Sequence, residues 1–179
     1  RIHEGKVITL RSNSRWCSDG FEIRCWNQEV VRVTFVLDTC DREVIAWEAT
    51  TGGFTGETIR NLMLMSVEQR FGQYQTPHPV QWLTDNGSAY TAKETMEFGK
   101  QLGLILCFTP VRSPQSNGMA EAFVKTFKRD YAYINDRPDA KTVMGCLNDW
   151  FNDYNENHPH KGLKLKSPRE FMREVAAAL

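Results

Sequence analysis

The 179-residue chain is 41% hydrophobic with no apolar run long enough to span a bilayer, so it reads as one domain with a sizeable core and no membrane anchor. Its 22 Lys and Arg balance 22 Asp and Glu, which excludes a simple polyanion-coating protein but allows a nucleic-acid enzyme with segregated charge. Five scattered cysteines without a C-x-x-C pair, and no signal-peptide pattern, point to reduced core thiols in a cytoplasmic protein and exclude a cysteine zinc site.

The first residue is Arg1 rather than Met, and the chain is expected to be a piece of a longer protein. Residues 1–14 have no periodicity and read as an extended lead-in. Phe21, Ile23 and Cys25 alternate as a strand does, with Asp19 inside the same stretch Arg15–Cys25. Asn27-Gln28 makes a turn into a β-branched strand, Val30–Leu37. A polar turn, Asp38–Arg42, leads to a third strand, Glu43–Thr51, giving an antiparallel meander. Asp38 and Asp41 are assigned turn-forming roles, because Asp bonds readily to its own backbone.

Thr55–Phe71 is predicted helical, capped by Thr55 or Gly56, with Ile59, Leu62, Met63, Val67 and Phe71 inward. Val80–Thr84 is a short buried strand that releases Asp85 into the turn Asp85-Asn86-Gly87-Ser88. A helix over Thr91–Leu102 ends at Gly103, and Leu104–Phe108 is a fifth strand. After the turn-rich segment Thr109–Gly118, a helix places Ala120, Phe123, Phe127, Tyr131 and Ile134 on one side and Glu121, Lys125 and Lys128 on the other. Arg137-Pro138-Asp139 breaks that run. Helices come next at Ala140–Asn155 and after Ser167-Pro168-Arg169-Glu170, where Ser caps and Pro opens the first turn. The order predicts an α/β five-stranded mixed sheet with helices on both faces.

Asp19 within an apolar strand, Asp85 at a strand exit and Glu121 opposite an aromatic stripe would converge. Such carboxylates repel one another, more so when buried. A hard divalent cation relieves this; magnesium takes oxygen ligands and keeps positions open for phosphate or water. Two ions about 3.5–4 Å apart would serve an in-line phosphoryl displacement.

The motifs Trp16-x-x-Asp19, the apolar strand ending at Asp38, Thr84-Asp85-Asn86-Gly87-Ser88, and Ser113-Pro114-x-Ser116-Asn117-Gly118-x-x-Glu121 resemble the catalytic core of bacterial insertion-sequence transposases related to retroviral integrases. The spacing between Asp85 and Glu121, Lys128 two turns after Glu121, and the tail Tyr154-Asn155…Pro159-His160…Ser167-Pro168-x-Glu170-Phe171 add to the resemblance, which covers nearly the whole chain. Phe21 stands where the family often has Thr, and His158 where many relatives have Arg. The resemblance implies a ribonuclease-H-like fold and an Asp19, Asp85, Glu121 triad binding two Mg²⁺ or Mn²⁺ ions. It implies cleavage and strand transfer of double-stranded DNA at element ends and target, in a homo-oligomer associated with the bacterial nucleoid. It also implies a catalytic core over residues 1–179, a helical tail from about 138, and an upstream DNA-binding region outside this chain.

Lys125 and Lys128 are the expected phosphate contacts, with Arg112 and Arg129 weaker. Asn86 and Asn117 are expected to support the ligands rather than bind metal. His158 and His160 are assigned to tail packing, and the Trp and Phe residues mostly to the core. A hydrolytic nuclease of the same fold and a non-catalytic, transposase-derived DNA-binding module remain alternatives; a glycosidase needs two carboxylates, not three with adjacent lysines. Glu121, preceded by a segment with few anchoring residues, is expected to stand away from Asp19 and Asp85 until metal and DNA arrive.

Overall fold

Strands β1 (Arg15–Arg24), β2 (Val30–Asp38) and β3 (Val44–Thr50) form the expected antiparallel meander, and β4 (Val80–Thr84) and β5 (Leu104–Phe108) extend it in parallel. The spatial order is β3-β2-β1-β4-β5 in one sheet. In this computed structural model the described residues are 11–85, 87–108 and 118–179. Asn86, Arg112, Asn117 and the rest of 109–117 lie outside them, as does the expected opening of the segment before Glu121.

Alternation along the strands sorts side chains into two cores. On one face, Cys17, Phe21 and Ile23 of β1 and Val31, Val33, Phe35 and Leu37 of β2 meet Ala120, Phe123 and Phe127 of α4 (Gly118–Phe127). Phe151 and Tyr154 of the tail helix α5 (Ala140–Asn157) close this core, with the Phe127 and Phe151 rings stacked 4.6 Å apart. On the other face, Trp16, Val36, Val80 and Trp82 pack on Ile59, Leu62, Met63 and Val67 of α1 (Gly56–Phe71) and Leu102 of α3 (Lys93–Leu102). A short helix, α2 (Ser88–Thr91), precedes α3. The last helix, α6 (Pro168–Ala177), is capped by Ser167, whose hydroxyl accepts from the Glu170 N–H at 3.2 Å.

Thr55 is the N-cap of α1, with a reciprocal bond pair to Thr58. Gly99 is where α3 can approach β5 and α1: a Cβ there would lie 2.7 Å from Leu106 Cδ1. The tail is tied to the meander by Asn155, whose amide accepts from Val44 N (2.8 Å) and donates to Val44 O (3.0 Å). Asp38 and Asp41 do form the turn. Asp38 Oδ1 accepts from Cys40 N and Asp41 N, and Asp41 Oδ1 from Glu43 N. They also do more: Arg70, at the end of α1, reaches both, with Nη2 3.0 Å from Asp41 Oδ1 and Nη1 3.3 Å from Asp38 Oδ2.

Two expectations fail: Cys40, Cys107 and Cys146 are only partly buried rather than core thiols, and the aromatic stripe does not run as far as expected. Ile134 is not on the buried stripe but 73% exposed. The helix does not run on in α register: residues Lys128–Ala132 form a π turn after α4, and Tyr133 N donates to Lys128 O at 2.8 Å. The extra residue in that turn rotates Tyr133 and Ile134 away from the core.

Candidate active site

β1 and β4 are paired in parallel, Trp16 with Trp82 and Cys17 with Leu83. Continuing both strands two residues past the last pair brings Asp19 and Asp85 to the same level of the sheet. They line one open cavity of about 440 Å³ together with Gly20, Gly87, Ser88 and Tyr90. Asp19 shares the side-chain parity of Cys17, Phe21 and Ile23, the face that α4 covers. Glu121 is exposed in the first turn of α4.

Burial first, then the neighbouring charges of Asp85 and Glu121, push the Asp19 carboxyl above the usual carboxylate range, while the Gly20 N–H opposes the shift. So Asp19 feels the negative charge of both Asp85 and Glu121. Among the described residues, no three His, Cys, Asp or Glu side chains gather tightly enough to hold an ion. Asp19 and Asp85 share the cavity, and Glu121 is not among the residues that line it.

Each aspartate is steadied by its own backbone. Gly20 N donates to Asp19 Oδ1 at 2.8 Å, and Gly87 N to Asp85 Oδ1 at 2.9 Å. Gly87 allows this approach, since a Cβ would stand 3.0 Å from the same oxygen. Beneath the pair lies a group that sequence reasoning passes over. The buried Tyr90 hydroxyl, on α2, lies 3.2 Å from Ser18 Oγ and 3.3 Å from Thr34 Oγ1, and Thr34 also donates to the Asp19 carbonyl at 3.2 Å. Burial raises the Tyr90 pKa, with Asp19 and Asp85 adding to it, so the phenol stays neutral there. A signal for it does exist: Ser18 and Thr34 are polar residues inside otherwise apolar strands.

Of the predicted cations, Lys125 is exposed and Lys128 half-buried on the Glu121 side of the helix. Arg129 is exposed but forks onto Asp130 at 2.8 and 3.0 Å. His158 Nε2 lies 3.0 Å from Asp130 of the π turn, and His160 packs edge-on against Tyr154 within the tail.

A family model described as Integrase core domain matches residues 10–114, and a second of the same description matches 102–168. The chain belongs to the integrase core family. This integrase core is 55% identical over 174 residues to the insertion element IS136 uncharacterized protein of Agrobacterium fabrum, covering 97% of this chain and 89% of that one. It is 54% identical over 176 residues to the putative transposase InsD for insertion element IS2E of Escherichia coli K12, covering 98% and 81%. The transposase InsD for insertion element IS2D is matched over 58% of its length. Membership and these relatives place the integrase core among the polynucleotidyl transferases.

The fold has the same neighbours. A chain of the simian T-cell lymphotropic virus intasome superposes with TM-score 0.74 at 19% identity, over 92% of this integrase core and 55% of that chain. The HTLV-2 integrase catalytic core domain in complex with magnesium, in a dimeric form, gives 0.64 at 18%, over 90% and 97%. These support the ribonuclease-H-like architecture. No helix among the described residues is long and apolar enough to cross a membrane.

Proposed function

We propose that this integrase core cleaves and joins DNA strands by in-line phosphoryl transfer, with Asp19, Asp85 and Glu121 as ligands for divalent cations. The observation that carries the reading is the pair Asp19 and Asp85 at one level of the sheet in one open cavity, with Asp19 raised by burial and by the charges of Asp85 and Glu121. The donor set suits Mg²⁺ or Mn²⁺, being all oxygen and excess in negative charge. Two ions, when bound, supply activation of the attacking oxygen and stabilisation of the leaving oxygen. The magnesium complex of the HTLV-2 core is consistent with such a site.

The chain's own residues hold the parts. The Gly20 and Gly87 N–H groups each occupy one lone pair of an aspartate and leave others for ligation. Tyr90, Ser18 and Thr34 brace the backbone below them. Lys125 of α4 and Lys128 at the start of the π turn hold DNA phosphates, with Arg112 and Arg129 as weaker contacts, and Asn86 and Asn117 support the ligands. The active assembly is a homo-oligomer on double-stranded DNA, and the whole protein carries a further DNA-binding region.

A magnesium-dependent strand-rejoining assay on a branched DNA tests this. Asp85→Asn keeps the shape and loses the anionic ligand, so rejoining should vanish while the circular dichroism spectrum stays unchanged. Near wild-type rejoining by that variant would overturn the assignment of Asp85. Cleavage without any joining by the wild type would favour the hydrolytic nuclease.

A further inference from the structure

The π turn that removes Ile134 from the core turns Tyr133 outward, 56% exposed. Facing it across an open groove of about 590 Å³ is Trp26, 58% exposed, at the tip of the β1–β2 turn. Two exposed aromatic rings on one groove, unlike exposed rings scattered singly, mark a face that a ligand can use. The backbone under both rings is hydrogen-bonded, Tyr133 N donating to Lys128 O at 2.8 Å. Trp26 N donates to Arg137 O at 2.7 Å and Asn27 N to Pro138 O at 3.3 Å, welding the hairpin tip to the segment after the π turn.

The groove is also cationic. Arg24, Lys128 and Arg137 line it with a single acid, Glu22, which is paired to Arg32 at 3.1 Å. Arg24 and Lys128 make no ion pair with any described residue. Arg137 is held by the carbonyls of Arg24 (3.3 Å) and Ala132 (3.0 Å), which sets its guanidinium carbon 5.2 Å from the Tyr133 ring centroid. Lys128 Nζ stands 5.9 Å from the Phe21 ring centroid. Flat rings interleaved with unpaired cations suit a ligand that alternates π faces with phosphates. Lys128 is two helical turns beyond Glu121, about 10 Å along the axis. A strand leaving the carboxylates along α4 therefore arrives at this groove.

We propose that the groove between the β1–β2 turn and the π turn is a stacking site for unpaired DNA nucleotides, with bases on Trp26 and Tyr133 and phosphates on Arg24, Lys128 and Arg137. The choice of DNA rests on the strand-joining reading above. A duplex keeps its bases stacked on each other and offers the two rings only its backbone, so the site discriminates for single strands.

Fluorescence anisotropy with a labelled short oligothymidylate and a blunt duplex of equal length, both in EDTA, tests the proposal on the full chain. Trp26→Ala and Tyr133→Ala should each weaken oligothymidylate binding about five- to 150-fold, the range for loss of one stacked base. Duplex binding should change less than about twofold. Trp26→Phe, which keeps a flat ring, should retain most of the affinity; it also guards against a folding defect in Trp26→Ala, with circular dichroism as the check. Equal losses on both DNAs, no loss on either, or a wild type that does not bind oligothymidylate would each overturn the site. If the wild type fails to rejoin branched DNA but its oligothymidylate binding still depends on Trp26, the strand-joining reading falls and the groove stands. If it rejoins DNA and Trp26→Ala binds oligothymidylate normally, the groove falls alone.

Discussion

Replacing Arg70 by Leu should be among the most damaging single changes outside the triad. Its side chain is 5% exposed, and those of its partners Asp38 and Asp41 are fully buried. Three guanidinium–carboxylate hydrogen bonds join them, two to Asp41 at 3.0 Å and one to Asp38 at 3.3 Å, while Nε lies 3.5 Å from Glu43 Oε1. Arg70 is the one cation paired with either aspartate among the described residues. Leu fills much of the volume but strands two buried carboxylates. Breaking a buried pair from one side costs about 3–5 kcal/mol. For a domain of this size, about 2–4 °C per kcal/mol puts the fall in melting temperature at roughly 6–20 °C. Burial first, then Asp41, pushes Asp38 up to about 6 even with the Arg70 guanidinium holding it down; without Arg70 its carboxyl takes up a proton at higher pH than in the wild type, so the deficit should shrink as pH falls toward 6. Urea and thermal melts at several pH values measure both effects. A loss under about 1 kcal/mol at pH 7 would show that the cluster is solvated or self-neutralised and refute the reasoning.

Lys128→Ala should weaken duplex binding about equally across sequences and reduce the slope of log affinity against log salt by about one; an unchanged slope would take Lys128 off the DNA path. His160→Gln should flatten the acid side of the stability profile. Burial first, then His158 and Arg42, lowers the imidazole from 6.5 to about 4, so its neutral form is favoured by folding. The unfolded chain then binds the extra proton between those values, and wild-type stability is full above about 6.5 and lost as pH falls toward 4. Parallel urea midpoints for the two proteins across that window would exclude this role.

Strand alternation, the Asp85 exit and the helix stripe are legible in the sequence because each is a local pattern with a fixed period. The placement of Glu121 opposite Phe123 and Phe127 needs only the geometry of adjacent helical turns. The features that escape are set by contacts distant in sequence or by a break in period. Arg70 joins Asp41 across a separation of 29 residues, and no local rule pairs them. Ile134 and Tyr133 depend on the π turn, which the apolar pattern extrapolates straight through. Trp26 reads as core because Trp usually is, yet a hairpin tip leaves it no face to pack against. Tyr90 escapes because α2 is one short turn whose only buried residue it is.

The parallel pairing of β1 with β4 has a consequence for fidelity. Sliding β1 by one position would send Phe21 and Ile23 into the layer built for Trp16, and Trp16 into the layer built for Phe21. The same slip would turn Asp19 away from α4. A molecule that has buried its aromatic residues correctly has thereby aimed Asp19 as well, so any cellular inspection for exposed apolar surface also screens for a misdirected Asp19. Mutation can then vary the approach of α4 and the path of DNA while the two strand aspartates inherit their accuracy from the core.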